Sequence, residues 1–254
     1  MIEVIHINKT FGDNHVLRDL SVTFDPGKTN LVIGGSGSGK TVLIKCMVGL
    51  YHVDSGEILY DGRDFTTLEE SAKRDIRKEI GMVFQGGALF DSQTVEENVR
   101  FPLEMFSEMS YQEMQERVNF CLNRVNLPSA HKLFPSQISG GMKKRVSIAR
   151  AIALNPKYLF CDEPNSGLDP KTSIVIDNLI REITQEFNIT TVINTHDMNS
   201  VLEIGDKIVF LNKGTVAWEG NKIEILNSGH EEIDNFVYAS QLFKRIKKAS
   251  NESL

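Results

Sequence analysis

The chain has 254 residues, 41% hydrophobic and 24% charged, which is enough apolar content for one sizeable core with a satellite subdomain and excludes a disordered chain. A formal net charge of −6 disfavours general affinity for nucleic acid. Cys46, Cys121 and Cys161 sit in apolar segments without metal-like spacing and read as reduced core residues, and no apolar run reaches the ~18 residues of a membrane span.

Met1–Thr10 alternate polar and apolar residues and lack the apolar h-region of a signal peptide, so the expected location is cytosolic, with membrane association through a partner. Alternation at Leu20, Val22 and Phe24, and again over Gly56–Tyr60 before Asp61-Gly62, predicts β-hairpin material. Between these stretches Thr29–Ile33 read as a short buried strand and Val42–Val48 as a mostly apolar helix closed by Gly49. They flank Gly34-Gly35-Ser36-Gly37-Ser38-Gly39-Lys40-Thr41, which has the pattern of a phosphate-binding loop. Its glycines turn the backbone so that successive N–H groups point inward, and the following helix adds its positive N-terminal end. Lys40 then reaches the β- and γ-phosphates of a nucleotide, and the Thr41 hydroxyl ligates Mg²⁺. The alternative is a flexible glycine linker.

Further strands are predicted at Ile80–Phe84, Tyr158–Asp162 and Thr190–Thr195 with helices between them, the alternation of an α/β core with largely parallel strands. From Glu96 to Leu127 the strand pattern stops. Met114, Val118, Cys121, Leu122 and Val125 fall on one helical face that follows a Ser110/Glu113 capping box, either a helical insertion or a further core helix. Ser139, Gly140 and Gly141 open a helix with an apolar face at Met142, Val146, Ala149 and Ile152, a second seat for an anion. A single nucleotide has little need of two such loops from one chain. Tyr158–Glu163 delivers two adjacent acids, Asp162 and Glu163, where α/β proteins place ligands. In a phosphate-loop enzyme Asp162 holds Mg²⁺ and Glu163 polarises the attacking water. Neighbours on a strand face opposite ways, so both serve only if the strand stops there and the chain turns at Pro164; otherwise the pair marks a plain strand end.

Taken in order and at their spacing, Gly34–Thr41, Gln85, Ile138–Met142, Tyr158–Glu163, Ser166–Asp169 and His196 resemble the motifs of the ATP-binding-cassette (ABC) ATPases, over residues 2–225. The resemblance implies an α/β P-loop core of ABC type with an antiparallel β subdomain and a helical subdomain near residues 92–150, all within residues 1–227, and a C-terminal extension at 228–254. It implies two cassettes packed head to tail, with Ser139, Gly140 and Gly141 of one meeting the γ-phosphate held by the loop of the other. Gln85 resembles the residue that senses Mg²⁺ and relays to the transport subunit, Asp169 the aspartate at the interface, and His196 the histidine on the γ-phosphate. Phe11 resembles the aromatic that stacks on adenine, with Val16 against the same ring. Read singly, Gln85 is a surface residue, Asp169 before Pro170 an N-cap, His196 a structural residue at a strand end and Phe11 a core residue.

Met142 stands where the family signature has Gln, Ile138 where it has Leu, and Asn165 where Thr is frequent after Glu-Pro. With the runs Phe84–Ser92 and Thr94–Val99, Ser139–Arg145 resembles the Mla-type cassettes, which energise phospholipid trafficking across the envelope of Gram-negative bacteria. Met142 also serves as a plain core filler. The resemblance therefore implies an ATP hydrolase with Lys40, Glu163 and His196 as catalytic residues and with ATP and Mg²⁺ bound. Its implied partners are a second cassette, an integral membrane permease and an envelope lipid-binding subunit, with no nucleic acid, at the cytoplasmic face of the bacterial inner membrane. Lipoprotein-release, macrolide-efflux and cell-division cassettes share most of these motifs, and a non-transport ABC ATPase is the reading from outside transport. Phe236–Ala239 and the basic Lys244-Arg245-Ile246-Lys247-Lys248 form a partner contact, a solvated end or a contact with acidic headgroups.

Overall fold

A computed structural model describes residues 1–238. The chain opens with a hairpin, β1 (Ile2–Phe11) and β2 (Asn14–Phe24), that turns at Gly12-Asp13. After β3 (Thr29–Ile33) and α1 (Lys40–Met47), β4 (Ser55–Tyr60) and β5 (Arg63–Asp64) return to the hairpin and complete an antiparallel sheet ordered β2-β1-β4-β5. Next come α2 (Glu70–Lys78) and β6 (Ile80–Val83), followed by α3 (Val95–Phe106), α4 (Tyr111–Arg124) and α5 (Gly140–Ala151) without an intervening strand. The remainder is β7 (Tyr158–Asp162), α6 (Pro170–Glu186), β8 (Thr190–Asn194), α7 (Met198–Ile204), β9 (Lys207–Asn212), β10 (Thr215–Gly220) and α8 (Glu231–Val237).

The second sheet runs β10-β9-β3-β8-β7-β6 and is parallel except where β10 pairs with β9. β3, β7 and β8 are buried along their whole length, as parallel strands covered on both faces must be. Side-chain alternation divides the core. Val32, Phe160, Val192 and Leu211 pack with α1 and the antiparallel sheet, while Leu31, Leu159, Cys161 and Ile193 pack toward the other helices. Leu43, Ile44 and Met47 of α1 are fully buried in the first of these layers, so the helix after the glycine loop is held against the central sheet by its apolar face.

The structure gives α4 the expected reciprocal cap: the Glu113 N–H donates to Ser110 Oγ and the Ser110 N–H to Glu113 Oε2. Thr94 and Glu97 make a second capping box at the start of α3. Val118, Cys121, Leu122 and Val125 are buried, with Met114 half-buried beside them. The cysteines are free, and burial pushes the thiols of Cys46 and Cys121 up to about 11 and that of Cys161 higher still. At the far end α8 lays Ile233 and Val237 on the core and sets Phe236 edge-on to Phe210, 5.4 Å between ring centres. The segment through Tyr238 is thereby packed against β9, whereas Ala239 and the basic run Lys244–Lys248 lie outside the described residues. Among the described residues no helix is long and apolar enough to cross a membrane.

Candidate functional site

The loop between β3 and α1 depends on glycine at both ends. Gly34 has φ 147°, and a Cβ there would meet the Leu211 carbonyl oxygen at 2.2 Å; Gly39, the N-cap of α1, has φ 104° and faces Leu17 Cδ2 at 2.9 Å. A larger residue at either position strains the backbone and collides with its neighbours. Lys40 is buried, and its ammonium donates to the carbonyls of Gly34 (2.9 Å) and Gly35 (3.0 Å). Burial lowers its pKa, and Glu163 and Asp162 oppose that shift. The Ser38 hydroxyl is buried without a partner, and open space lies beside Gly35 and Gly37. The loop is a concave cradle with one cation and one free hydroxyl inside.

The acids of β7 come to the same place. Thr41 Oγ1 lies 3.4 Å from Asp162 Oδ1, and Asn194 at the end of β8 donates through Nδ2 to both, at 2.5 Å to Asp162 Oδ1 and 3.1 Å to Thr41 Oγ1. The strand ends at Asp162, and Glu163 itself takes a left-handed conformation, φ 47°. The turn begins at the second acid, one residue before Pro164, and it frees Glu163 from strand alternation. Its Oε1 meets His196 Nδ1 at 2.8 Å, and its N–H donates to the Asn194 carbonyl at 2.9 Å. Non-glycine residues in this backbone region are uncommon and concentrate at functional sites.

Gln85 is exposed, and its amide donates to Ser166 Oγ at 3.3 Å, so the structure joins it to the loop after β7 and not to Thr41 or Asp162. Its backbone is clamped by α5: the buried Lys144 ammonium donates to the Gln85 carbonyl, and Arg150 donates to the carbonyls of Gly87 (2.8 Å) and Ala88 (2.7 Å). Ser139 caps α5 by accepting from the Met142 N–H at 3.3 Å. Gly140 sits against Leu168 and Gly141 against the start of α6, where a Cβ on Gly141 would meet Thr172 at 2.7 Å. Among the described residues no hydrogen bond joins 139–141 to 34–41. Asp169 is the N-cap of α6, accepting from the Thr172 N–H and hydroxyl, and the hydroxyl holds its carboxyl below the usual carboxylate range. Phe11 is exposed and lies edge-on to Tyr51, 5.2 Å between centres, with Lys9 Nζ 5.2 Å from its ring, so the core reading of Phe11 fails. The Val16 carbonyl lies 3.2 Å from where a Cβ on Gly39 would be, which brings Val16 beside the loop.

Residues 17–166, which carry the glycine loop, Gln85, the Ser139 helix and the acid pair, match the profile described as ABC transporter. The chain belongs to the ABC transporter family. It is an ATP-hydrolysing cassette subunit of that family. Methionine import ATP-binding protein MetN of Clostridioides difficile strain 630 is 38% identical over 225 residues, 89% of this chain and 70% of that protein. Among solved structures, the dimeric post-hydrolysis state of the ATP-binding cassette MJ0796, bound to ADP and Pi, superimposes with a TM-score of 0.79 at 31% identity, covering 87% of this chain and 99% of that one. CbiO1 of Clostridium perfringens, part of the ABC transporter complex cbiONQ, gives 0.83 at 29% identity over 98% of each.

The cassette also contains a buried polar strut absent from the sequence reading. Asp177 of α6 accepts from Asn165 Nδ2 at 2.7 Å and from the Ser200 hydroxyl at 2.8 Å, and Asn165 also reaches Ser200 Oγ at 3.1 Å. It ties the turn after Glu163 to the helix after His196. Burial pushes the Asp177 carboxyl up to about 6, opposed by its bonds from Ser200 and Asn165 and assisted by Asp197 and Glu203. A raised carboxyl pKa makes the folded state hold its proton longer than the unfolded chain does. This contribution is present in full below the ordinary value of 3.8 and is lost as pH rises to about 6, roughly 3 kcal/mol over two units. Urea unfolding across pH 4–7 is expected to show that slope in the parent and to lack it in Asp177→Asn.

Proposed function

We propose that two copies of this chain close head to tail around two Mg·ATP, hydrolyse them and reopen, driving a membrane permease from the cytoplasmic face. The supporting observation is that the loop 34–41 and the Ser139 helix start, both suited to a polyphosphate, are not hydrogen-bonded to each other within the chain. The dimeric state of MJ0796 with ADP and Pi is in keeping with it. Thr41 and Asp162 offer two hard oxygens, and among the described residues no cluster of three or more His, Cys, Asp or Glu could hold a metal alone. That donor set fits Mg²⁺, which takes one or two protein oxygens and completes its shell with phosphate and water. When bound, the ion neutralises phosphate charge.

In this reading Lys40 leaves the Gly34 and Gly35 carbonyls for the β- and γ-phosphates, and the loop N–H groups and Ser38 hydroxyl take the remaining oxygens. Glu163 orients the water and accepts its proton. His196 meets Glu163 Oε1 through Nδ1, and its other ring nitrogen serves the γ-phosphate as an Nε2–H donor. Ser139, Gly140, Gly141 and Asp169 act on the nucleotide bound by the partner copy, while Phe11 and Val16 meet the adenine. Gln85, hinged on Ser166, serves the ion only after a shift of its loop. Mixing a Lys40→Ala chain with a Ser139→Phe chain tests the arrangement, since the mixed dimer alone keeps one intact composite site. ATP-dependent dimerisation, absent from either variant, is expected to return in the mixture; its failure to return would count against sharing of sites.

For cargo, the departures at Ile138 and Met142 and the run Phe84–Val99 support phospholipid trafficking, with an envelope lipid-binding subunit as a further partner. The methionine import name of the relative from C. difficile favours an amino-acid cargo as a second reading. Purification from the native membrane distinguishes them: a permease that arrives with bound phospholipid and a lipid-binding subunit supports the first, and a permease whose ATPase rises with methionine and its binding protein overturns it.

A further inference from the structure

We propose that Asn194 is a positioning residue for the metal site, its carboxamide holding the Asp162 carboxylate and the Thr41 hydroxyl in the register that a magnesium ion needs; this rests on reading those two residues as the ion's protein ligands. Asn194 ends β8, directly opposite Asp162 in the β7–β8 ladder and opposite Val32 in the β3–β8 ladder. It is fully buried, in a strand whose preceding residues, Val192 and Ile193, are apolar core residues. A β-branched apolar side chain would suit such a position, because a buried amide is unfavourable wherever a polar atom goes unpaired. Asn194 incurs that penalty: its Oδ1 is buried without a partner. What the amide supplies is two N–H donors on one nitrogen, one at 2.5 Å from Asp162 Oδ1 and one at 3.1 Å from Thr41 Oγ1.

Those contacts define a division of labour. Asp162 is nearly buried and accepts only from Thr41 and Asn194 among the described residues, both times through Oδ1. The bond at 3.4 Å from Thr41 is long, so the firm anchor is Asn194. Without it the carboxylate keeps only the long contact from Thr41, and Thr41, at the first turn of α1, loses its tie to β8. Groups that orient metal ligands from behind typically change metal affinity 10–100-fold when removed.

The test uses the full chain and reads ion dependence rather than turnover. Nucleotide binding is measured with ADP as probe, in EDTA and through a Mg²⁺ titration, alongside thermal melts. For Asn194→Val we expect a folded protein whose ADP affinity in EDTA is close to the parent's and whose half-maximal Mg²⁺ concentration is raised 10–100-fold. A Mg²⁺ requirement within two-fold of the parent overturns the proposal. If the valine variant does not fold, Asn194→Asp decides. This near-isosteric change sets a second carboxylate against Asp162 and is expected to lower the melting temperature in EDTA and to regain it with Mg²⁺ alone; a loss that Mg²⁺ does not repair assigns Asn194 a packing role only. Asp162→Asn is the control, expected to abolish the Mg²⁺ dependence. If that dependence survives in Asp162→Asn, the metal-site reading fails, independently of Asn194.

Discussion

Glu163→Gln is expected to lower ATP turnover by about 10²–10⁴-fold in the complete transporter while nucleotide binding persists, the span that removal of a positioned general base commonly covers. The amide keeps the shape of the carboxylate and its place in the left-handed turn, but it cannot take the proton of the attacking water. A neutral side chain at 163 also removes one negative charge near the γ-phosphate, so the closed dimer is expected to accumulate with ATP. Phosphate release and light scattering of the variant with ATP provide the check. A turnover rate equal to the parent's would falsify the assignment of the base, and a monomer under saturating ATP would separate turnover from closure. His196→Ala serves as a comparison, because it removes the Nδ1 partner 2.8 Å from Glu163 Oε1 without removing the proposed base.

Lys40→Met is expected to reduce nucleotide affinity or turnover by about 10²–10³-fold, the usual consequence of removing one preorganised group from a developing phosphate charge. The apo protein should behave differently. The ammonium is buried, and burial lowers its pKa, so holding the charge in the empty fold costs desolvation, whereas methionine fills a similar volume without charge. The melting temperature without nucleotide is expected to equal or exceed the parent's, while the rise produced by Mg·ATP disappears. A variant that melts lower and still binds ATP would show that Lys40 has a structural role instead.

Much of the candidate site is legible in the chain because the glycine loop and the acid pair are local patterns. Strands at 29–33 and 158–162 fall where short apolar runs and flanking turns place them. Patterning names no strand at β1 or β9. Over Met1–Thr10 the residues alternate, but register breaks in the β1–β2 pairing, with His6 and Asp19 at positive φ, leave the strand irregular. β9 is a short apolar run, Ile208-Val209-Phe210-Leu211, which periodicity cannot distinguish from buried helix. Lys144 read as one of several basic residues on a helix; only folding buries its ammonium under the Gln85 loop. The Asp177 strut joins residues 12 and 23 positions away along the chain, a link with no sequence signal.

By itself the sequence determined the glycine loop between β3 and α1 and the helix caps, which rest on residue types at short, fixed separations, and the family, which rests on the order of its motifs. Tertiary structure decided which distant groups share one site: it set Asn194 against Asp162 and Thr41, turned Glu163 off its strand toward His196, and left Gln85 on Ser166. The reason is that strand order and register, which only packing of the two core layers selects, determine which residue ends stand side by side at the carboxyl edge of the sheet.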